Sequence, residues 1–430
     1  MSIQELYKLY LKSDGVEIDS RLIHKNKLFF ALKGQHVDGH QYVKALMGKQ
    51  NVFAVIDNDE YYINEKTILV DDVLKCLQEL STHHRQQLNI PVLGITGSNG
   101  KTTTKELVQT VLDQKYKVYA TKGNYNNHLG VPLTLLSTPL DTEILIVEMG
   151  ANHIGDIDEL CNIAYPNYGL ITNIGYAHIE GFGSYEGVIK TKTELYRFIK
   201  TNGGQLFINA DDTVLNQNLP DGIETITYPN PDLKIEDNGL SLKILYKEFE
   251  EHTSLLYGIY NATNIQVAFA VGKHFGVSDI KMLRAIEDYV PEMNRSQIKE
   301  IGSTTFIMDA YNANPSSMKL SIESLGKLKS DKKKILILGD MKELGEDEIS
   351  FHREMLVTVS KYSWSKIYTV GKIFSQIENE TVSKYPSVDS LIDEIKQENI
   401  NFEDAIVLLK ASRSIQLEKV LNECFTDKKG

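Results

Sequence analysis

Cysteine is scarce in this chain. The 430 residues hold three, Cys76, Cys161 and Cys424, odd in number and far apart. Neither a disulfide framework nor a zinc-ligand spacing can be built from them, and a reducing cytoplasm is the expected compartment. Long apolar runs are also lacking: nothing reaches the roughly 18 residues that a membrane-spanning helix needs. The opening Met-Ser-Ile-Gln-Glu-Leu-Tyr-Lys has neither the basic start nor the apolar centre of a secretory signal. Membrane insertion is not expected. Positive charge is in deficit, with a formal net charge of −12 and one basic tract, Lys332–Lys334, which reads as a solvated face before a strand. Nucleic-acid binding depends on broad neutralisation of phosphates, so nucleic acid is not an expected partner. No internal repeat or low-complexity segment is seen. The rest of the composition, 42% apolar and 24% charged, is that of an ordinary soluble globular protein with room for about two to four domains.

The chain is organised around Pro91–Glu106. A short apolar run, Val92–Thr96, reads as a buried strand. It turns through Gly97, Ser98, Asn99 and Gly100 and enters a helical pattern, Lys101–Gln114. Strand, glycine-rich turn and helix start form a phosphate-binding arrangement, because the glycines let backbone N–H groups face phosphate oxygens and the helix N-terminus adds partial positive charge. Lys101 would reach the terminal phosphates, the Thr102 hydroxyl would face Mg²⁺, and Thr103 continues the polar rim. The match to the usual pattern is a variant. Ile95 stands where the first glycine is expected, and the glycines fall at Gly94, Gly97 and Gly100. An ordinary strand-to-helix turn would not account for three glycines and three consecutive threonines around one lysine.

The rest divides into three α/β units, 1–88, 89–294 and 295–430. The first carries Ser20, Arg21, Lys33, Gly34 and His40 near turns, where surface polarity alone could account for them. The second alternates apolar runs with helices, as expected for a largely parallel sheet. Its runs end in polar groups: Ile144–Glu148 in a carboxylate, Tyr168–Ile174 ahead of His178, and Gln205–Asn209 ahead of Asp211 and Asp212. Ligands of open α/β sheets sit at strand carboxyl ends, so these groups are expected to gather at the phosphate loop. Tyr228–Gly239 reads as a turn-rich surface excursion. Pro291 and the polar Glu292–Gln297 form the expected junction to the third unit, whose strands are Thr305–Asp309, Ile335–Leu338, Ile367–Val370 and Ala405–Leu409.

Glu148 and His178 are the best metal candidates beyond the loop, the carboxylate being the more typical Mg²⁺ ligand. Asn261 and Asn264 open an apolar helix, where capping is the plain alternative. Gly187–Tyr196 reads as one helix bearing Lys190 and Lys192. Asp309-Ala-Tyr311-Asn312-Ala-Asn314-Pro315 packs polar groups at a strand end more densely than a turn requires.

Gly97-Ser-Asn-Gly-Lys-Thr-Thr-Thr104, Glu148-Met-Gly-Ala151 and Asp309–Met318 together resemble the Mur ligases of bacterial peptidoglycan synthesis. Gly123–Pro132 and Ala177–Ser184 fit members that add D-alanyl-D-alanine to UDP-N-acetylmuramoyl-tripeptide, and the Asp-Asn-Pro-Arg sequence of the diaminopimelate-adding relative is not found. The resemblance runs from Asp19 to Arg413. It implies an N-terminal UDP-sugar domain, a central ATPase and a mobile Rossmann-like C-terminal domain. The implied chemistry is ATP-driven amide formation through an acyl phosphate, with a monomer expected. Lys101, Glu148, His178 and Lys192 match the family's catalytic positions. Thr102, Glu148, His178 and Lys192, which the family carbamylates, match the Mg²⁺ positions. Gly97, Ser98, Asn99, Gly100, Lys101, Thr102, Thr103, Asn261, Asn264, Arg295 and Asp309 match nucleotide contacts. Substrate contacts are implied for Ser20, Arg21, Lys33, Gly34, Asn126, Asn127, Lys190, Tyr311, Asn312 and Asn314. Two positions depart from the pattern: Ala411 replaces a glycine before Ser412, and Asn26-Lys27 stands where the first domain has glycine. Two rival readings are a folylpolyglutamate synthetase-like amide ligase and a P-loop phosphotransferase or non-catalytic nucleotide binder. Asp309–Met318 speaks against the first, and a third domain with its own polar strand-end cluster against the second.

Overall fold

The computed structural model describes residues 1–397 and 400–425. Strands Val16–Glu17 (β1), Leu28–Phe30 (β2), Phe53–Ile56 (β3) and Thr67–Leu69 (β4) form a small parallel sheet in sequence order. Val92–Thr96 (β5), Val118–Ala120 (β6), Ile144–Glu148 (β7), Tyr168–Ile171 (β8), Gln205–Asn209 (β9) and Glu224–Tyr228 (β10) form a second parallel sheet, ordered β10-β9-β8-β5-β7-β6. Its inner strands β5 and β7 are buried along their whole length because both faces are covered. Leu93 and Ile95 pack into one core layer and Val92 into the other, and Ile144 and Ile146 likewise alternate with Leu145 and Val147. The chain leaves β5 with β8 on one side and β7 on the other, which opens a crevice at the strand's carboxyl end.

Leu233–Asp237 (β11), Leu242–Tyr246 (β12) and His252–Ser254 (β13) form an antiparallel sheet. This corrects the expected surface excursion over Tyr228–Gly239. Tyr228 is buried as the end of β10, and β11 brings Leu233 into the core that holds Phe269. Pro229, Pro231 and Asn230 mark only the corner between two strands. The single helix expected over Gly187–Tyr196 is two, Tyr185–Lys192 and Glu194–Thr201, meeting at Thr193.

The last sheet joins Gln297–Ile301 (β14), Thr304–Asp309 (β15), Lys333–Gly339 (β16), Lys366–Val370 (β17), Ser383–Tyr385 (β18) and Ala405–Lys410 (β19), in the order β14-β15-β19-β16-β17-β18. Only β14 is antiparallel, and its onset at Gln297 ends the expected junction. Of Lys332–Lys334, Lys333 is exposed, while Lys332 and Lys334 donate to the Ser303 and Gly326 carbonyls.

The first unit is tied to the second by Arg85, near the C-terminus of helix Val73–Gln87. Its guanidinium donates to the carbonyls of Ala164 (3.0 Å), Leu88 (2.8 Å) and Tyr165 (3.0 Å) in a site where the residue is only 6% exposed. Arg85→Ala leaves those carbonyls without their donors. It is expected to cost about 2–4 kcal/mol, read as a lower urea midpoint for loss of far-UV signal.

Candidate active site

Each glycine of the loop has a separate reason. At Gly94, inside β5, an added Cβ would lie 2.6 Å from Met149 Cε and 3.2 Å from Pro166 Cβ, so this glycine serves packing. Gly97 has φ +142, and a Cβ there would lie 2.0 Å from Thr172 Oγ1. Gly100 is the left-handed N-cap (φ +78) of helix Lys101–Leu112, tight against Asn264 Oδ1. The segment after β8 braces the turn. Asn173 accepts from Asn99 N (3.1 Å) and donates to Asn99 O (2.9 Å), while Thr172 Oγ1 donates to the same carbonyl. Gly175 N donates to Ser98 Oγ at 2.9 Å. The helix therefore begins with no side-chain cap, and its first N–H groups are left for an anion.

Lys101 Nζ bridges the carbonyls of Gly97 (2.7 Å) and Ser98 (3.3 Å). Burial lowers its pKa, with nearby Arg295 acting in the same direction and Glu148 opposing. Thr102 Oγ1 donates to Glu148 Oε2 (2.8 Å), and Asn126 Nδ2 to Glu148 Oε1 (2.8 Å). Glu148 is 2% exposed and lies 3.8 Å from Lys105 Nζ, which donates to Thr121 O. Thr104 Oγ1 donates to Asn264 Oδ1, and Asn264 Nδ2 to Asn261 Oδ1. Neither asparagine side chain caps the helix that follows.

These groups wall a cavity of about 640 Å³ shared with the C-terminal unit. Ser98, Asn99, Gly100, Lys101, Thr102, Thr103, Asn126, Asn127, Glu148, His178, Asn261 and Asn264 line it from the central unit, and Arg295, Asp309, Tyr311 and Asn312 from the other. Arg295 stacks 3.6 Å from the Tyr311 ring centroid. Asp309 is held by Lys410 Nζ (2.9 Å) and Ser321 Oγ (2.7 Å), and Lys410 also donates to Asn312 O. Ties that cross between the units include Asn314 Nδ2 to Asn99 Oδ1 (2.7 Å), Tyr176 N to Ser316 Oγ (3.1 Å) and Glu180 N to Glu343 O (3.3 Å).

Other expected site residues stand elsewhere. Gly97 is behind the wall, as the hinge of the turn. Asn314 caps helix Pro315–Lys327, with its side-chain oxygen accepting from Ser317 N. Lys190 is exposed. Lys192 is 1% exposed, with Nζ 5.3 Å from the Phe182 ring centroid, and burial drives its pKa well below the ordinary lysine value. Ser20, Arg21, Lys33 and Gly34 lie at the surface of the first unit, away from this cavity, and Arg21 pairs with Asp19. Asp211 and Asp212 do not reach the loop as expected. They follow β9, two strands from β5, where Asp212 caps helix Thr213–Gln217. Among the described residues no group of three or more His, Cys, Asp or Glu side chains is arranged to hold a metal, and Nδ1 of His178 faces Glu343.

Lys105, Tyr260, Ser296 and Asn173 were not singled out from the sequence. Lys105 had a signal, since it lies four residues after Lys101 and therefore on the same helix face. The others had none, because their contacts are made between distant segments.

Three family models match most of the chain: the Mur ligase family catalytic domain over residues 12–85, the Mur ligase middle domain over 95–272, and the Mur ligase glutamate ligase domain over 294–413. The UDP-N-acetylmuramoyl-tripeptide–D-alanyl-D-alanine ligase of Bacillus subtilis is 35% identical over 426 residues, spanning 95% of this chain and 92% of that protein. The Haemophilus influenzae protein of the same name is 31% identical over 433 residues, spanning 95% and 93%. MurF from Acinetobacter baumannii superposes with a TM-score of 0.86 at 25% identity over 98% of both chains. The MurF ligase from Thermotoga maritima in complex with ADP gives 0.85 at 26% identity over 96% of this chain and 97% of that one.

Gly97→Ala is expected to weaken binding of a non-hydrolysable ATP analogue by at least about tenfold, or 1.4 kcal/mol, in calorimetric titration. Gly94→Ala, which crowds Met149 and Pro166, should lower the melting temperature and keep the affinity within about threefold, well under that 1.4 kcal/mol step.

Proposed function

The chain belongs to the Mur ligase family, as an ATP-dependent amide ligase of peptidoglycan precursor synthesis, and we propose that it joins D-alanyl-D-alanine to UDP-N-acetylmuramoyl-tripeptide. The observation that carries this reading is the shared cavity. A phosphate loop and a buried carboxylate from one unit face Arg295, Asp309 and Tyr311 from another. In this reading residues 1–88 hold the UDP-sugar with Ser20, Arg21, Lys33 and Gly34, residues 89–294 bind ATP, and residues 295–430 close over it.

The terminal carboxylate of the tripeptide attacks the γ-phosphorus of ATP, ADP departs, and an acyl phosphate forms on the peptide. The dipeptide amine then attacks the acyl carbon, the C–O bond to phosphate breaks, and an amide with free phosphate results. Phosphoryl transfer needs positioning and charge neutralisation above all. Lys101 and the open N–H groups of its helix meet the β- and γ-oxygens, and Arg295 meets the nucleotide from the opposite wall. Asn261 and Asn264 sit toward the adenine. Asn126 and Asn127 address the muramoyl-peptide with Lys190 nearby, and Tyr311, Asn312 and Asn314 belong to the segment that receives the dipeptide.

Mg²⁺ use goes with the family, and the Thr102–Glu148 pair fits it, since two hard oxygens meet there in a buried setting. The ion would supply charge neutralisation at the transferred phosphoryl group. His178 and a carbamylated Lys192 complete the proposed set. Lys192 suits that modification, because burial favours the neutral amine, the form that reacts with CO₂.

With ATP, Mg²⁺ and UDP-muramoyl-tripeptide present, phosphate release is expected to depend on added D-alanyl-D-alanine in a coupled phosphate assay. Release indifferent to the dipeptide refutes the reading. Lys192→Ala is expected to lose at least about 99% of turnover, roughly 2.7 kcal/mol of barrier, with partial recovery in formate. No recovery, with the variant still folded by circular dichroism, counts against the carbamate.

A further inference from the structure

We propose that Arg413, in the turn after β19, holds the C-terminal carboxylate of the incoming dipeptide and so selects an amine substrate that ends in a free acid. This inference rests on the ligase reading, in which Arg413 has no role.

Arg413 is exposed, and its guanidinium carbon lies over the Tyr311 ring at 5.1 Å from the centroid. Arg295 lies over the same ring at 3.6 Å. Tyr311 and Arg295 are wall residues of the shared cavity, so Arg413 stands at its rim. Among the described residues no acidic side chain pairs with Arg413. Contact with an aromatic face leaves the N–H fork of a guanidinium available, and that fork matches a carboxylate through two parallel hydrogen bonds.

The turn that carries Arg413 is fixed through the residue before it. Ser412 N donates to Asp340 O (3.2 Å), while Ser412 Oγ donates to Ala313 O (3.3 Å) and accepts from Lys342 N (3.0 Å). Ala313 lies between Asn312 and Asn314, so one hydroxyl ties the Arg413 turn to the segment that receives the dipeptide. Arg413 then opens the short 3₁₀ turn Arg413–Ile415, whose end is closed by Gln416 N on Arg413 O (3.1 Å). Ala411, which stands where the resembled pattern has glycine, is accommodated. A Cβ added at Gly339 would lie 2.5 Å from the Ala411 Cβ, so the methyl group takes the space that Gly339 leaves.

The ligands of the reaction bring three kinds of anionic group. The phosphates face Lys101, the open helix N–H groups and Arg295, and the tripeptide carboxylate must lie beside them to be phosphorylated. The dipeptide's own carboxylate still needs a cation. Lys410 is already committed, to Asp309 (2.9 Å) and the Asn312 carbonyl (3.0 Å), in a site where it is only 3% exposed. Arg413 flanks the same segment with its fork uncommitted. A dipeptide spans about 7 Å from amine to carboxylate, so its amine can enter the cavity while its carboxylate stays at the rim.

The test follows phosphate release by the full chain with ATP, Mg²⁺ and UDP-muramoyl-tripeptide, using D-alanyl-D-alanine and its C-terminal amide as alternative acceptors. The unsubstituted enzyme should favour the acid over the amide by about 10–100-fold in kcat/KM. Arg413→Ala should abolish that preference by raising KM for the acid. Its kcat/KM for the amide, and its KM for ATP and for the tripeptide, should stay within about threefold of the unsubstituted values. Arg413→Lys, which keeps the charge without the fork, should fall between. Equal use of acid and amide by the unsubstituted enzyme overturns the proposal. So does an Arg413→Ala enzyme that loses both acceptors alike, as a purely structural contact with Tyr311 would require, or one in which KM for the tripeptide rises instead. Failure of the ligase reading gives a different result: the unsubstituted enzyme then releases no phosphate in response to either acceptor.

Discussion

The structure depends on one backbone constraint: the first N–H groups of helix Lys101–Leu112 must stay free while the chain reverses out of a fully buried strand. A side-chain cap would satisfy those donors and close the site. Gly97 and Gly100 turn the chain without supplying a cap, at φ values that side chains rarely adopt. The polar work of holding the turn is moved to Thr172, Asn173 and Gly175 on the neighbouring strand end. The central sheet order follows the same need, since β5 must lie between β7 and β8 for Glu148 and the Asn173 segment to flank the loop from opposite sides.

Charge placement follows from it. On a chain of net charge −12 the cavity gathers Lys101, Arg295 and Lys410, with Lys105 just behind. Each is held by a local contact: Lys101 by loop carbonyls, Lys105 by Thr121 O and the Glu148 carboxylate, Lys410 by Asp309, and Arg295 by the Tyr311 ring. An anionic ligand therefore meets cations already fixed in place, which is what preorganised stabilisation of a phosphoryl group requires. The acidic remainder of the surface says nothing against such a pocket, because local arrangement rather than net charge sets the field inside it.

Legibility of the fold varied with burial. Ile144–Glu148 and Gln205–Asn209 could be read to the residue, because strands covered on both faces are uninterrupted apolar runs. The β11–β13 sheet was hidden. Its strands are covered on one face, so Leu242, Ile244 and Tyr246 alternate with half-buried neighbours, and Pro229 and Pro231 beside Leu233 suggested a loop. β14 is masked for a similar reason: Gln297, Lys299 and Glu300 make an edge strand look like a polar linker. The split at Thr193 carries no glycine or proline to announce it.

The sequence alone determined the phosphate loop, the strand-end Glu148, and the dense polar segment after Asp309, because each is a contiguous run whose chemistry depends on neighbours along the chain. The tertiary structure decided which of these polar groups share a space. It set Asp212 aside as a helix cap and made Asn314 a tie between units rather than a cavity wall. It also brought in Lys105 behind Glu148 and turned His178 toward Glu343. Those outcomes follow from strand order and from the docking of one unit on another. Both are settled by burial of apolar faces far from the site, so no local pattern of residues encodes them.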